Sequence, residues 1–111
     1  MARAVIWSPA ARADLREIEA YIASRSPLNA RRVIERIREA ANKYRNFPYS
    51  ARMVPEFQDP DRRETFVYQY RVMYRVEPHC IHVLRVVHGR RLLKNVPGSF
   101  EESEQEAYSA A

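Results

Sequence analysis

The sequence has 111 residues, of which 46% are hydrophobic and 30% are charged, a composition typical of one globular domain with its own core. No apolar run approaches the roughly 18 residues that a membrane span requires, and the short apolar segment near the N-terminus lacks the features of a secretory leader. We therefore expect a cytoplasmic protein that makes no membrane contact, and the net charge of +5 predicts an anionic partner.

Positive charge is concentrated in the first 98 residues. All 19 basic residues fall there, and only Lys43 and Lys94 among them are lysines, whereas four of the 14 acidic residues are glutamates within the last thirteen positions. Arginine is suited to phosphate and carboxylate recognition because its planar fork donates several hydrogen bonds. We interpret the chain as a single domain over 1–98 followed by an acidic tail over 99–111.

Two helices follow a short first strand over about 3–7. Ser8 and Pro9 form a helix start signal, with serine as N-cap and proline at the first helical position, and the pair Ser26–Pro27 repeats it. Apolar residues then recur at three- and four-residue spacing in both segments, until Pro48 ends the second pattern. The short connection predicts an antiparallel helix hairpin that packs on a sheet.

Strands are predicted after an extended loop over 48–61. A strand over about 63–68 is followed by alternation over 70–77, which places four residues on an inward face (Tyr70, Val72, Tyr74 and Val76) and four on an exposed, cationic face (Arg71, Met73, Arg75 and Glu77). A turn precedes a further strand over 80–88. The predicted class is α+β, with the helix hairpin on a small, mostly antiparallel sheet of about four strands.

Several kinds of chemistry have little support in the sequence. The three histidines and the single cysteine, Cys80, do not follow a common zinc spacing, so we predict no metal or other cofactor and a buried, inert thiol. Two glycines are too few for a glycine-rich phosphate-binding loop. No serine occurs in the context of a nucleophile elbow.

The remaining candidates are basic residues on and after the predicted hairpin: Arg62, Arg63, Arg71, Arg75, Arg85, His88, Arg90 and Arg91. Such a group could bind phosphates, could bind acidic residues of a partner protein, or could be paired with acids of the same chain. His88, beside Gly89, could act as a general base or could simply hydrogen-bond a carbonyl at the strand end.

Three segments resemble motifs of one family. The segment PYSARMVPE at 48–56 is similar to a helix-end motif in which glycine usually stands at the place of Ala51. The segment RRETFVYQYRVMYRV at 62–76 matches the family's central strands, with Gln69 in place of a frequent glycine or small polar residue, and LRVVHGRR at 84–91 matches its ending throughout. Together they resemble the RelE/ParE superfamily of bacterial type II toxins.

The resemblance implies a toxin that forms a hetero-oligomer with a cognate antitoxin. A ParE-like inhibitor of DNA gyrase is favoured, with a RelE-like ribosome-dependent mRNA endoribonuclease as the alternative and a non-toxic binding module as a third possibility. In the nuclease, His88 would act as base or acid and Arg71 and Arg85 would hold the reacting phosphate. Arg63 and Arg90 would bind flanking phosphates or ribosomal RNA. The further candidates for binding a partner are Arg62, Arg75 and Arg91.

Overall fold

The computed structural model describes residues 3–89. The predicted domain end at residue 98, the acidic tail over 99–111 and the candidates Arg90 and Arg91 lie outside the described residues. Within the described part, no helix is both long and apolar enough to cross a membrane.

The described chain forms two helices and one mixed sheet. The elements are β1 (Ala4–Trp7), α1 (Pro9–Ala23), α2 (Pro27–Tyr44), a 3₁₀ turn (Pro48–Ser50), β2 (Arg52–Met53), β3 (Arg62–Val67), β4 (Tyr70–Val76) and β5 (Cys80–His88). The strand order is β1-β5-β4-β3-β2, and only the β1–β5 pair of this described sheet is parallel. The predicted α+β class is confirmed, with a fifth strand, the two-residue β2, inside the segment predicted to be a loop.

Both helices begin where the sequence predicts. The Ser8 hydroxyl accepts a hydrogen bond from the Ala11 amide at 2.9 Å, and the Ser26 hydroxyl accepts one from the Asn29 amide at 3.2 Å. Each serine satisfies an amide that lacks a partner in the first helical turn, which typically contributes about 1 kcal/mol. Ser8 also donates to the Leu84 carbonyl at 2.9 Å, so this cap fixes the start of α1 against β5.

The main core lies between the helices and one face of the sheet. Tyr70 and Tyr74 belong to it, as predicted, and the Tyr74 hydroxyl donates to the Pro48 carbonyl. Burial raises the pKa of both phenols. Most of the other buried members come from both helices and from β4 and β5, and they include Leu15, Ile18, Ile34, Ile37, Val72, Val76, Ile81, Val83 and Val86.

The opposite face of β4 is also buried, and here the prediction of an exposed, cationic face is wrong. Met73 is fully buried in a second cluster with Val54, Leu84 and Val87, and Phe57 packs against it. Val54 and Phe57 come from the segment between β2 and β3, which covers this face of the sheet. Strand alternation correctly separates the two sides of β4, but it cannot tell that a loop from elsewhere in the chain excludes water from the second one.

Candidate functional site

Arg71 is enclosed by carboxylates. It is only 4% exposed, and its guanidinium donates to Glu64 Oε1 at 2.8 and 2.6 Å and to both carboxylate oxygens of Glu56 at 2.7 Å. Arg52 Nε donates to the other Glu64 oxygen at 2.6 Å. The four residues form one network, and the hydrogen bonds from Arg71 lower the pKa of Glu56 while they raise the pKa of Arg71.

Strand register places this network. Glu64 on β3 pairs with Arg52 on β2 and with Met73 on β4, so the three side chains share a face of the sheet. Arg71 lies two residues before Met73 and therefore points to the same side. Glu64 is buried, and a buried carboxylate is tolerated only when opposite charges and hydrogen bonds compensate its lost hydration.

Arg85 is likewise held by an acid of the same chain. Its Nε and Nη2 atoms lie 2.8 and 3.0 Å from the two carboxylate oxygens of Asp14 on α1, and the Val86 amide donates to the same carboxylate at 2.8 Å. The parallel pairing of β1 with β5 ends at Trp7 and Val83. Beyond the end of β1, the Asp14 carboxylate therefore replaces the missing strand as a hydrogen-bond acceptor. It accepts from the Val86 amide of β5 and from the Arg85 guanidinium.

His88 lies on the other side of the sheet from Arg71. It pairs with Tyr70 across β4 and β5, and their rings meet edge to face with centroids 6.2 Å apart. Tyr70 belongs to the core beneath the helices, whereas Arg71 points to the side of Met73. The fold thus does not bring His88 and Arg71 together as a base and a phosphate-binding group.

Gly89 is required by close packing at the end of β5. Its amide donates to the Gln69 carbonyl at 2.6 Å. A β-carbon at this position would lie 2.9 Å from Phe66 Cε1 and 3.0 Å from that carbonyl oxygen. Both distances are shorter than normal contacts, so the hairpin loop between β3 and β4 and the end of β5 approach closely only because residue 89 has no side chain.

The other described arginine candidates also contact protein groups. Arg62 lies 3.5 Å from Asp59 and above the Phe57 ring. Arg63 donates to the carbonyls of Pro60 at 2.7 Å and Ala51 at 3.0 Å, and thus fastens the β2–β3 connection. The remaining described candidate, Arg75, is half-buried and pairs with His82 across the sheet, where its charge helps to lower the pKa of the histidine after the larger effect of burial.

The sequence interpretation missed the acids that hold these arginines. Asp14 stands next to Leu15 within the apolar stripe of α1, three residues after Ala11, and this position is the signal that could have identified a buried carboxylate. Glu64 and Glu56 carry no comparable periodic signal. Both lie in segments that resemble family motifs, but their pairing with Arg71 follows only from the register of β2, β3 and β4.

The described surface includes two shallow grooves of similar volume. One, with a volume of about 360 Å³, lies beside the exposed edge of β1 and is lined by Ile6, Trp7, Arg12 and Arg38 among others. The second, of about 350 Å³, lies between the end of α2 and β3 and includes Lys43, Phe66 and Tyr68. The sequence does not decide between core and surface for Tyr68, which is 60% exposed at the tip of the β3–β4 hairpin.

Comparison with known proteins assigns the chain to a family. Residues 5–93 match the family described as ParE toxin of type II toxin-antitoxin system, parDE. The toxin RelE2 of Caulobacter vibrioides is 33% identical over 88 residues, which cover 79% of this chain and 97% of that protein. A structure described as the chromosomal ParDE TA system from P. aeruginosa has the same fold, with a TM-score of 0.64 and 21% identity over 78% of this chain and 95% of that one. The chain therefore belongs to the ParE toxins of type II toxin-antitoxin systems.

Proposed function

We propose that this toxin acts by binding DNA gyrase and that a cognate antitoxin neutralises it. The observation that carries the choice of target is the separation of the groups that mRNA cleavage would need. Cleavage through a ribose 2′-hydroxyl requires a base and cationic groups around one phosphate. His88 and Arg71 lie on opposite sides of the sheet, which favours a toxin that binds its target over one that cleaves RNA.

The two proposed phosphate-binding arginines support the same choice. Arg71 is bonded to Glu56 and Glu64, and Arg85 is bonded to Asp14. Glu64 and Asp14 are buried, so a phosphate could replace them only if these acids lost their partners, which costs about 3 to 5 kcal/mol for a buried pair. These arginines are therefore better suited to holding the fold than to binding a substrate.

The mRNA endoribonuclease is retained as the second candidate because a relative that is 33% identical carries the name toxin RelE2. The two functions are separated by two assays on the same purified chain: supercoiling by gyrase and cleavage of ribosome-bound mRNA. Inhibition of supercoiling without mRNA cleavage is the expected result. Cleavage that falls about 100-fold or more in His88→Ala would instead establish the nuclease.

A second measurement tests whether the chain is toxic at all. We expect expression of the chain without an antitoxin to arrest growth. If the cells grow normally while the chain is folded, both toxin activities are excluded, and the third possibility, a non-toxic module that only binds its partner, is favoured.

The groove beside β1 is the proposed docking site of the antitoxin. Its wall combines the apolar side chains of Ile6 and Trp7 with Arg12 and Arg38, which fits an amphipathic segment that carries acidic residues. We expect Arg38→Glu to weaken antitoxin binding by reversing a charge at the groove. Arg31→Glu, a change at another exposed position on α2 that does not line this groove, is the control, and equal weakening by both would contradict this site.

A further inference from the structure

Three metal-binding side chains meet at the turn between β4 and β5. Cys80 Sγ lies 3.7 Å from Glu77 Oε2 and 3.8 Å from His82 Nδ1, and the same Glu77 oxygen is hydrogen-bonded to that imidazole nitrogen. All three ligand atoms fall within 4.8 Å of one another. No common zinc pattern has this sequence spacing, which is why the sequence predicted no metal here.

The fold explains how the three side chains converge. Cys80 and His82 are two positions apart on β5, so strand alternation places them on the same face. Glu77 follows the last residue of β4, and its amide donates to the Cys80 carbonyl at 2.9 Å, which closes the turn and brings the carboxylate over this face. β1 covers the neighbouring edge, because Ala4 pairs with Cys80 and Ile6 pairs with His82.

We propose that Glu77, Cys80 and His82 form a binding site for Zn²⁺. In a tetrahedral zinc site, bonds of about 2.3 Å to sulfur and about 2.0 Å to nitrogen or oxygen place the sulfur roughly 3.5 Å from each of the other two ligand atoms. The two distances from Cys80 Sγ, 3.7 and 3.8 Å, lie close to this value. The Glu77–His82 hydrogen bond must open, and its proton must move to His82 Nε2 or to the solvent, because zinc binds an unprotonated imidazole nitrogen and an ionised carboxylate.

The donor set selects the type of metal. A thiolate and an imidazole favour zinc over magnesium or calcium, which prefer oxygen ligands. Three protein ligands leave the fourth tetrahedral position for water or for a group of a partner protein. His82 is buried, whereas Cys80 and Glu77 are half-buried, so the site lies close to the surface and a metal can enter.

Proton balance and nearby charges limit the affinity. The Cys80 thiol must lose its proton to the solvent when the thiolate–zinc bond forms, and burial raises the pKa of this thiol. Arg3, whose Nε donates to the Glu77 carbonyl at 2.8 Å, and Arg75, which faces His82, both add positive charge near the cation. We therefore expect weaker binding than in a structural site with four protein ligands.

Cobalt(II) is the probe for the site, since it replaces zinc and absorbs light. The full chain is titrated with Co²⁺, and the expected result is one ion per chain, with thiolate-to-cobalt charge transfer and the intense visible bands of tetrahedral coordination. Added Zn²⁺ should remove these bands and give the zinc affinity. Because Cys80 is the single cysteine, the charge-transfer band reports this thiol.

Substitutions of the other two proposed ligands, Glu77 and His82, test the zinc site. Glu77→Gln and His82→Asn should each weaken Co²⁺ binding by at least the roughly 10- to 100-fold that changes around metal sites produce. His79→Asn is the matched control, because His79 is an exposed histidine in the same turn and should leave binding unchanged. Thermal unfolding in the absence of metal checks that each variant is folded.

Three results would overturn the proposal. The first is the absence of a charge-transfer band in the wild-type chain. The second is one Co²⁺ per two chains, which would indicate a site shared through two copies of Cys80. The third is equal loss of binding in His79→Asn and His82→Asn, which would indicate coordination by the exposed turn. If His82→Asn does not fold, Glu77→Gln is compared with His79→Asn instead, and equal binding by these two variants would overturn the proposal.

Discussion

Arg85 and Asp14 are 71 positions apart in the chain, yet Arg85 Nε lies 2.8 Å from an Asp14 carboxylate oxygen within the folded domain. The same carboxylate accepts the Val86 amide, so one acid on α1 serves both the backbone and a side chain of β5. This pair joins the N-terminal helix to the last described strand. It also removes Arg85 from the set of exposed cations that the sequence predicted.

Asp14→Asn should destabilise the domain strongly. The amide oxygen of asparagine can still accept the Val86 hydrogen bond, but Arg85 loses the carboxylate charge of Asp14, and breaking a buried pair in this way costs about 3 kcal/mol. Urea unfolding measures the change. Glu19→Gln on the exposed side of the same helix should change the stability by less than about 0.5 kcal/mol, and a similar loss in both variants would show that the pair is unimportant.

Glu56 should make the stability depend on pH in the acid range. Its hydrogen bonds to Arg71 hold its pKa below the ordinary value of 4.5. A carboxyl group with a lower pKa in the folded state stabilises the fold above its unfolded pKa and loses this contribution as the pH falls through its folded pKa. Glu56→Gln should therefore be less stable than the wild type at pH 7.

The difference between Glu56→Gln and the wild type should then shrink progressively as the pH falls below about 4.5. Urea unfolding at a series of pH values measures it. Glu35→Gln, an exposed change on α2, is the matched control and should follow the wild type across the range. A constant difference between Glu56→Gln and the wild type at every pH would contradict the assigned role of the Arg71 hydrogen bonds.

Gly89→Ala should destabilise the domain by about 1 to 3 kcal/mol through overpacking. The added methyl group would meet Phe66 Cε1 at 2.9 Å and the Gln69 carbonyl at 3.0 Å. Phe66→Ala removes the first contact and leaves the second. Thermal unfolding of the single and double variants should therefore show partial rescue, and a Gly89→Ala variant as stable as the wild type would rule out the close approach.

Tyr68→Asn should stabilise the domain by about 1 kcal/mol, because asparagine tolerates the left-handed backbone region better than a bulky residue does. Tyr68 has a φ of 54° and is the one non-glycine residue with positive φ in the described part of the chain. Its exposed ring loses little packing when it is replaced. Gln69→Asn at the neighbouring loop position should have no such effect, and thermal unfolding compares the two.

The sequence predicted the local features of this fold well. Ser8 and Ser26 cap the two helices, and Tyr70 and Tyr74 point into the core, as expected. These features depend on residues a few positions apart, because capping and strand alternation act within one turn or one strand. The predicted α+β class followed from such local patterns and from the motifs that resemble the RelE/ParE superfamily.

Tertiary structure alone decided which charged side chains are buried and which acids they pair with. The sequence places Arg71 and Arg85 among the surface cations, but their partners, Glu56 and Asp14, come from a distant loop and from the first helix. A guanidinium is stable inside a protein only if a carboxylate reaches it, and strand order and register determine which carboxylate does. Sequence patterns therefore identified the fold and its family, whereas topology determined which arginines stabilise the domain.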